Sequence, residues 1–380
     1  MPKAGPVIKP RYVAAILVAL GMATVLRAQT KSALTLAQVD TPGSTMKRVL
    51  PILLCVLALI QARTLAWGVA GHRVVSRAAI RALPGDVPPF LARQIDWIGT
   101  RSVLADSWRA PSEPFAKAAE DPNHVWYMEQ FAFLRQVPRS RDGFMLAVYD
   151  EHLRLRASDP AKAALTNIHY TGTLPYAATE GYERLKVAFR TWRELNTKKQ
   201  DTTFIEQDAA FYLGWMSHYI ADGAQPLHTS VNHDGWVGDN PKGYTRDGAI
   251  HWQFENTFVD LIDLRESDVQ SRIPTAPKKL PDPFAAVLAH LDRAHTRVDH
   301  LYQLEKNRAY DDKNSQQGRE LVYICVADAA TLLRDLIYTA WMTSADPVPS
   351  FDPDDQTNNP KNPRYNPATG SAPPLAPSPR

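Results

Sequence analysis

Between residues 67 and 344 apolar positions recur at three- and four-residue steps almost throughout, a spacing that predicts α-helices. The stretches are 69–83, which ends at Pro84-Gly85, then 87–98, 144–156, 176–195, 204–221, 250–264, 284–304 and 318–341. No run alternates with period two for long enough to propose a strand, and no internal repeat recurs at a fixed period. The expected fold is therefore all-α, a single multi-helix domain over 67–345. The connections 110–123 and 229–249 are polar and rich in Pro, Gly and Asp, and long loops between the helices of a domain often carry function.

The two ends break this pattern. Apolar runs at 12–26 and 50–60 both fall short of the roughly 20 residues of a spanning helix. Met46-Lys47-Arg48, the second run and Thr64-Leu65-Ala66 read as the charged start, apolar middle and cleavage site of a secretory signal. On that reading 1–45 is an upstream extension, 46–66 is the signal peptide, and Trp67 is the first mature residue. The mature chain is then expected to be periplasmic or secreted, with no stable membrane insertion; the alternative is an uncleaved anchor. Residues 346–380 hold ten of the thirty prolines and almost nothing apolar, which predicts a disordered tail.

Composition changes this picture little. At 44% hydrophobic and 22% charged the chain is ordinary, and a net charge of +3 does not by itself imply a nucleic-acid or membrane surface. The cysteines matter more. Cys55 would leave with the signal and Cys325 would remain, so the mature chain can form no internal disulfide. An exported domain of this kind calls for another staple, and a metal can supply one.

Candidate chemistry centres on 211–228, FYLGWMSHYIADGAQPLH. His218 and Asp222 lie four apart and share a helix face, Pro226 turns the chain, and His228 follows. Imidazole nitrogen and carboxylate oxygen in this arrangement suit zinc. Further candidates are His72, Asp106 in LADSWR, His124 in DPNHVWY, and His251 and Glu255, one helical turn apart in IHWQFEN. Singly each has an ordinary reading, such as a surface histidine, an N-cap or half of a solvated pair. Together they fit a helical core that projects ligands inward onto one polynuclear site. His152, His169 and His233 stand alone, while His290, His295 and His300 step by five along one expected helix and share no face. Of these, His233 in NHDGW lies between two candidate ligands and is expected to support them.

The order W-G-x-x-G-H at a processed terminus, A-D-S-W, an isolated His, HYIADGAQPLH and H-x-x-x-E resembles the superfamily of bacterial zinc-dependent phospholipases C and S-one and P-one type single-strand nucleases. The resemblance covers essentially all of 67–345. It implies an all-α fold with a three-zinc cleft, in which Asp106, His124, His218 and Asp222 hold one ion. The α-amine and carbonyl of Trp67, His72 and the bridging Asp222 hold a second, and His228, His251 and Glu255 hold the third. Three zinc ions of this kind would hydrolyse a phosphodiester by activating water, with Asp106 orienting that water and Arg109 meeting a phosphate oxygen. The short step from Trp67 to His72 and the QPLH string look like the nucleases, whereas Glu255 in place of Asp looks like the phospholipases. The expected protein is a monomeric hydrolase of single-stranded nucleic acid, with phospholipid head groups as the alternative substrate. From a different class, a zinc-stabilised binding domain without turnover would call for closed four-ligand sites. Trp108, Trp126, Tyr127, Trp236 and Trp252 are candidates to stack on a base or line a lipid pocket.

Overall fold

The helical periodicity is realised as eight main helices among the residues that the computed structural model describes, 67–348, 357, 359–367 and 371–372. They are α1 (Gly68–Arg81), α2 (Ile95–Arg101), α3 (Arg141–Leu155), α4 (Leu174–Thr197), α5 (Thr203–Asp222), α6 (Pro283–His295), α7 (Val298–Lys306) and α8 (Gln316–Thr343). All lie within one unit of the chain, Thr64–Arg380. Among the described residues no sheet forms, and the fold is all-α. No described helix is long and apolar enough to cross a membrane. The expected extension and signal peptide lie outside the described residues.

The starts of several helices are written in side chains. Ser140, Asp282 and Ser315 each accept a hydrogen bond from the backbone N–H three residues on, satisfying a donor that the helix itself leaves unpaired. α5 is the centre of the packing. Its Leu213, Met216 and Ile220 are buried, and it lies against α1, α2, α4 and α8. Gly214 permits the approach of α2, because a Cβ there would sit 2.5 Å from Arg101 Cβ and 3.0 Å from Ile98 O. α2 can therefore end directly beside the last turns of α5.

Several expected boundaries move. The stretch 87–98 is not one helix: it divides into Phe90–Arg93 and α2, with Gln94 between them out of helical geometry at φ −102°, ψ 15°. The stretch 284–304 likewise divides into α6 and α7 at Thr296-Arg297, where the Thr296 hydroxyl donates to Arg293 O at 2.7 Å. His290 and His295 thus sit on one helix and His300 on another. The expected loop 110–123 contains the helix Pro114–Glu120, with proline at its first position, and runs into a 3₁₀ turn, Asp121–His124. Within 250–264 the chain widens into a π turn, Gln253–Thr257. Most of the expected disordered tail lies outside the described residues, and the rest makes a few local turns. Asn359 and Asn362 side chains each accept a backbone N–H two residues on, and Asn366 pairs with Ser371.

Candidate metal centre

α5 ends in His218 and Asp222, and neighbouring turns bring their partners. His218 Nδ1 lies 2.7 Å from Ser102 O, just past the end of α2. A carbonyl only accepts, so the proton sits on Nδ1 and Nε2 points its lone pair inward. The 3₁₀ turn Asp121–His124 sets His124 Nδ1 3.0 Å from His218 Nε2 and 3.0 Å from Asp222 Oδ2. Asp106, on the short helix Leu104–Ser107, reaches to 3.7 Å from His124 Nδ1 and 3.8 Å from His218 Nε2. His218 Nε2 is itself 3.3 Å from Asp222 Oδ2. A tetrahedral site with ligands at about 2.0–2.2 Å has edges of about 3.3–3.6 Å, and the five distances among these donors, 3.0–3.8 Å, are close to that.

Asp222 faces two ways. While Oδ2 meets His124 and His218, Oδ1 lies 3.4 Å from His72 Nε2 on α1. The His72 ring stacks on His218 at 4.2 Å between centroids. At the head of α1, Trp67 is fully buried against Phe254, 5.7 Å between ring centroids. Gly68, at φ +36°, makes this possible: a Cβ there would fall 2.5 Å from Asn256 Oδ1 and 3.2 Å from Glu255 O. The chain at Trp67 is thereby laid against the segment that carries Glu255.

A third set forms at the other side of His124. His228, on the 3₁₀ turn Pro226–Thr229, donates from Nδ1 to His124 O at 2.6 Å, and His251 donates from Nδ1 to Asp234 Oδ1 at 3.1 Å. Both Nε2 atoms are then left with lone pairs, yet they lie 3.1 Å apart. Glu255 Oε2 joins them at 2.9 Å from His251 and 3.4 Å from His228, steadied by Gln225 Nε2 at 3.1 Å. Lone pairs repel unless a proton or a metal stands between them.

Burial sharpens this demand. His72, His124, His218 and Asp222 are fully buried. Both oxygens of Asp106 and Oδ1 of Asp222 are buried without a well-formed hydrogen-bond donor among the described residues, a costly state for a carboxylate. Burial alone would depress His218, but Asp222 and Asp106 outweigh it and raise the imidazole to about 9. His251 is likewise driven down by burial but raised to about 10 by Glu255 and Asp234. Burial raises Asp106, against the pull of His218 and His124, whereas the histidines around Asp222 overcome burial and hold it well below the usual range. These buried His and Asp groups could hold metal ions.

Thus the structure brings His72, Asp106, His124, His218, Asp222, His228, His251 and Glu255 together, and Arg109 stands at their edge. Its NH1 is 3.7 Å from Asp106 Oδ1, and its Nε donates to Asp121 Oδ1 at 3.0 Å. Other supports were not foreseen. Glu120 Oε1 lies 3.3 Å from His124 Nε2 and also accepts the Tyr219 hydroxyl, while Ser102 O, Asp234 and Gln225 each fix a ligand. Only the four-residue step from Glu120 to His124 hinted at any of them. His233 does not stand alone: its ring lies 4.9 Å from His228 and 3.9 Å from His251. Among the aromatic candidates Trp126 is core, packed on Phe131, Phe144 and Tyr176, and Trp236 packs on Tyr244 and Tyr302. Trp108 packs on Phe211 and Trp215, Tyr127 is buried beside Tyr170 and His233, and Trp252 alone of the five is open to solvent. A cavity of about 540 Å³ beside α3, lined by Met145, Tyr149 and His152, shares no residue with the cluster. No family model and no curated protein matches this chain.

Proposed function

We propose that residues 67–345 form an exported zinc-dependent phosphodiesterase that hydrolyses single-stranded nucleic acid as a monomer. The observation that carries this reading is the double use of Asp222, whose Oδ2 meets His124 and His218 while Oδ1 meets His72. A carboxylate shared in this way suits two cations about 3.5–4 Å apart. When bound, zinc polarises phosphoryl oxygens and brings the pKa of water to near 7. His72, Asp106, His124, His218, Asp222 and the backbone of Trp67 would hold a pair of ions, and His228, His251 and Glu255 a third. Asp106, buried and short of donors, would orient the attacking water. Arg109, clamped by Asp121 and Asp106, would meet a non-bridging phosphate oxygen with the face of its guanidinium that those carboxylates do not use. Because the inner ligands are buried, substrate would approach from the side of Arg109, His251 and the exposed Asp234.

Glu255 in place of an aspartate favours a second reading, a phospholipase C acting on lipid head groups. The processed protein, assayed for zinc and offered single-stranded DNA, RNA, phosphatidylcholine and bis-p-nitrophenyl phosphate in parallel, separates the readings. Chelator-sensitive cleavage of single strands is the expected result. Cleavage of phosphatidylcholine alone would favour the phospholipase, and zinc bound with no turnover would make the domain a binding module.

A further inference from the structure

We infer that His233 is a fourth protein ligand of the ion held by His228, His251 and Glu255. The inference rests on the zinc reading above but reaches past it, since the sequence resemblance assigns that ion only three ligands. His233 Nδ1 donates to Leu227 O at 3.0 Å, which leaves the lone pair on Nε2, the same tautomer that His218, His228 and His251 adopt. One nitrogen from each of His228, His233 and His251 lies within 4.8 Å of the others. The His233 ring lies 4.9 Å from His228 and 3.9 Å from His251 between centroids, crossing them at 61° and 67° rather than stacking, and its Nε2 is 3.9 Å from Asp234 Oδ1, the carboxylate oxygen that takes the Nδ1 proton of His251.

The loop around His233 is held in place. Tyr302 donates to Asn232 O at 2.7 Å, Val237 N donates to Asn232 Oδ1 at 2.8 Å, and Trp236 N donates to Thr245 O at 2.8 Å. Tyr127 backs the imidazole at 5.5 Å between rings, and the His233 side chain is only 14% exposed. Three imidazoles and one carboxylate complete a zinc tetrahedron. This ion would then have as many protein ligands as the one assigned to Asp106, His124, His218 and Asp222, and a phosphate oxygen could join it only by expanding the shell to five.

The test compares the processed protein with His233→Phe, which keeps a ring but no nitrogen, and His233→Gln, which keeps a hydrogen-bonding group for Leu227 O. Zinc is titrated against a chelator, and cobalt is substituted to read coordination by visible absorption. In both variants one zinc should weaken by at least about tenfold while two stay bound, and the visible cobalt spectrum of one site should shift as water replaces a nitrogen ligand. Three zinc ions of unchanged affinity and an unchanged cobalt spectrum in both variants would overturn the role of His233 and leave the zinc reading standing. Wild-type protein that takes up no zinc would overturn both.

Discussion

Asp222 is the side chain on which most of the cluster depends, since its two oxygens address separate imidazoles. Asp222→Ala should release two zinc ions together and lower the melting temperature, because the turns that meet there lose their common cation. Full zinc content with an unchanged melting curve in this variant would rule out the bridged pair. A subtler test is Glu120→Gln. The Glu120 carboxylate stands behind His124 and is itself held by the Tyr219 hydroxyl and by Asn123 Nδ2. Loss of its charge should weaken zinc at the pair by about 10–100-fold with the fold intact, as measured by chelator competition alongside circular dichroism. The two positions differ in legibility. Asp222 announces itself through a four-residue step from His218, whereas Glu120 becomes meaningful only once the 3₁₀ turn Asp121–His124 folds it under the imidazole.

Among the elements, α2 and α5 set the geometry. Gly214 lets α2 approach so closely that Ser102 O can hold His218 Nδ1. Gly214→Val should separate the helices, cost about 1–3 kcal/mol by overpacking, and loosen zinc at His218 as a consequence. Denaturant midpoints with and without chelator would measure both, and an unchanged midpoint would mean that the helices can yield at no cost. Amphipathic spacing is enough to predict α1, α4, α5 and α8 within a few residues, because each buries a continuous face along most of its length. It is blind to the breaks at Gln94 and Thr296-Arg297, where the apolar pattern carries on while the backbone turns. It also passes over Pro114–Glu120, whose residues are mostly exposed and so carry no apolar stripe, even though Pro114 marks its start.

For the molecule as a whole, metal and pH are linked. Without metal, His218 and His251 hold their protons to about 9 and about 10, above the ordinary value near 6.5. Their contribution to the stability of the chelated protein is therefore complete below pH 6.5 and fades as pH rises through 9 and then 10. Zinc must displace those protons, so its affinity should rise over the same range. Melting curves at pH 7 and pH 10 should show the chelated protein losing stability and the zinc-loaded protein keeping it. Equal losses in both would deny that metal and proton compete for these nitrogens. The chain terminus offers a further test. A free α-amine, with an ordinary pKa of about 7.7–8.0, yields its proton to a nearby dication, whereas an amide is a poor ligand. If processing frees Trp67, one extra residue before it should lower both zinc content and activity, while Trp67→Phe with a correct terminus should keep much of both. Full zinc and full activity in the extended protein would remove the terminus from the site.

The sequence alone was sufficient for the helical class, because three- and four-residue apolar steps are a local property that any window of the chain displays. It was sufficient also to single out the residue types of the candidate site, since His, Asp and Glu one helical turn apart can share a face without knowledge of the rest. Which of them meet could be settled only in three dimensions. His72, Asp106 and His124 come to His218 and Asp222 from α1, a short helix and a 3₁₀ turn far apart along the chain, and no local pattern encodes such distances. The protonation of the rings was decided there as well. Ser102 O, His124 O and Asp234 each take an Nδ1 proton and aim Nε2 inward, and it is this tertiary choice of tautomer that turns a set of histidines into a site that could hold a cation.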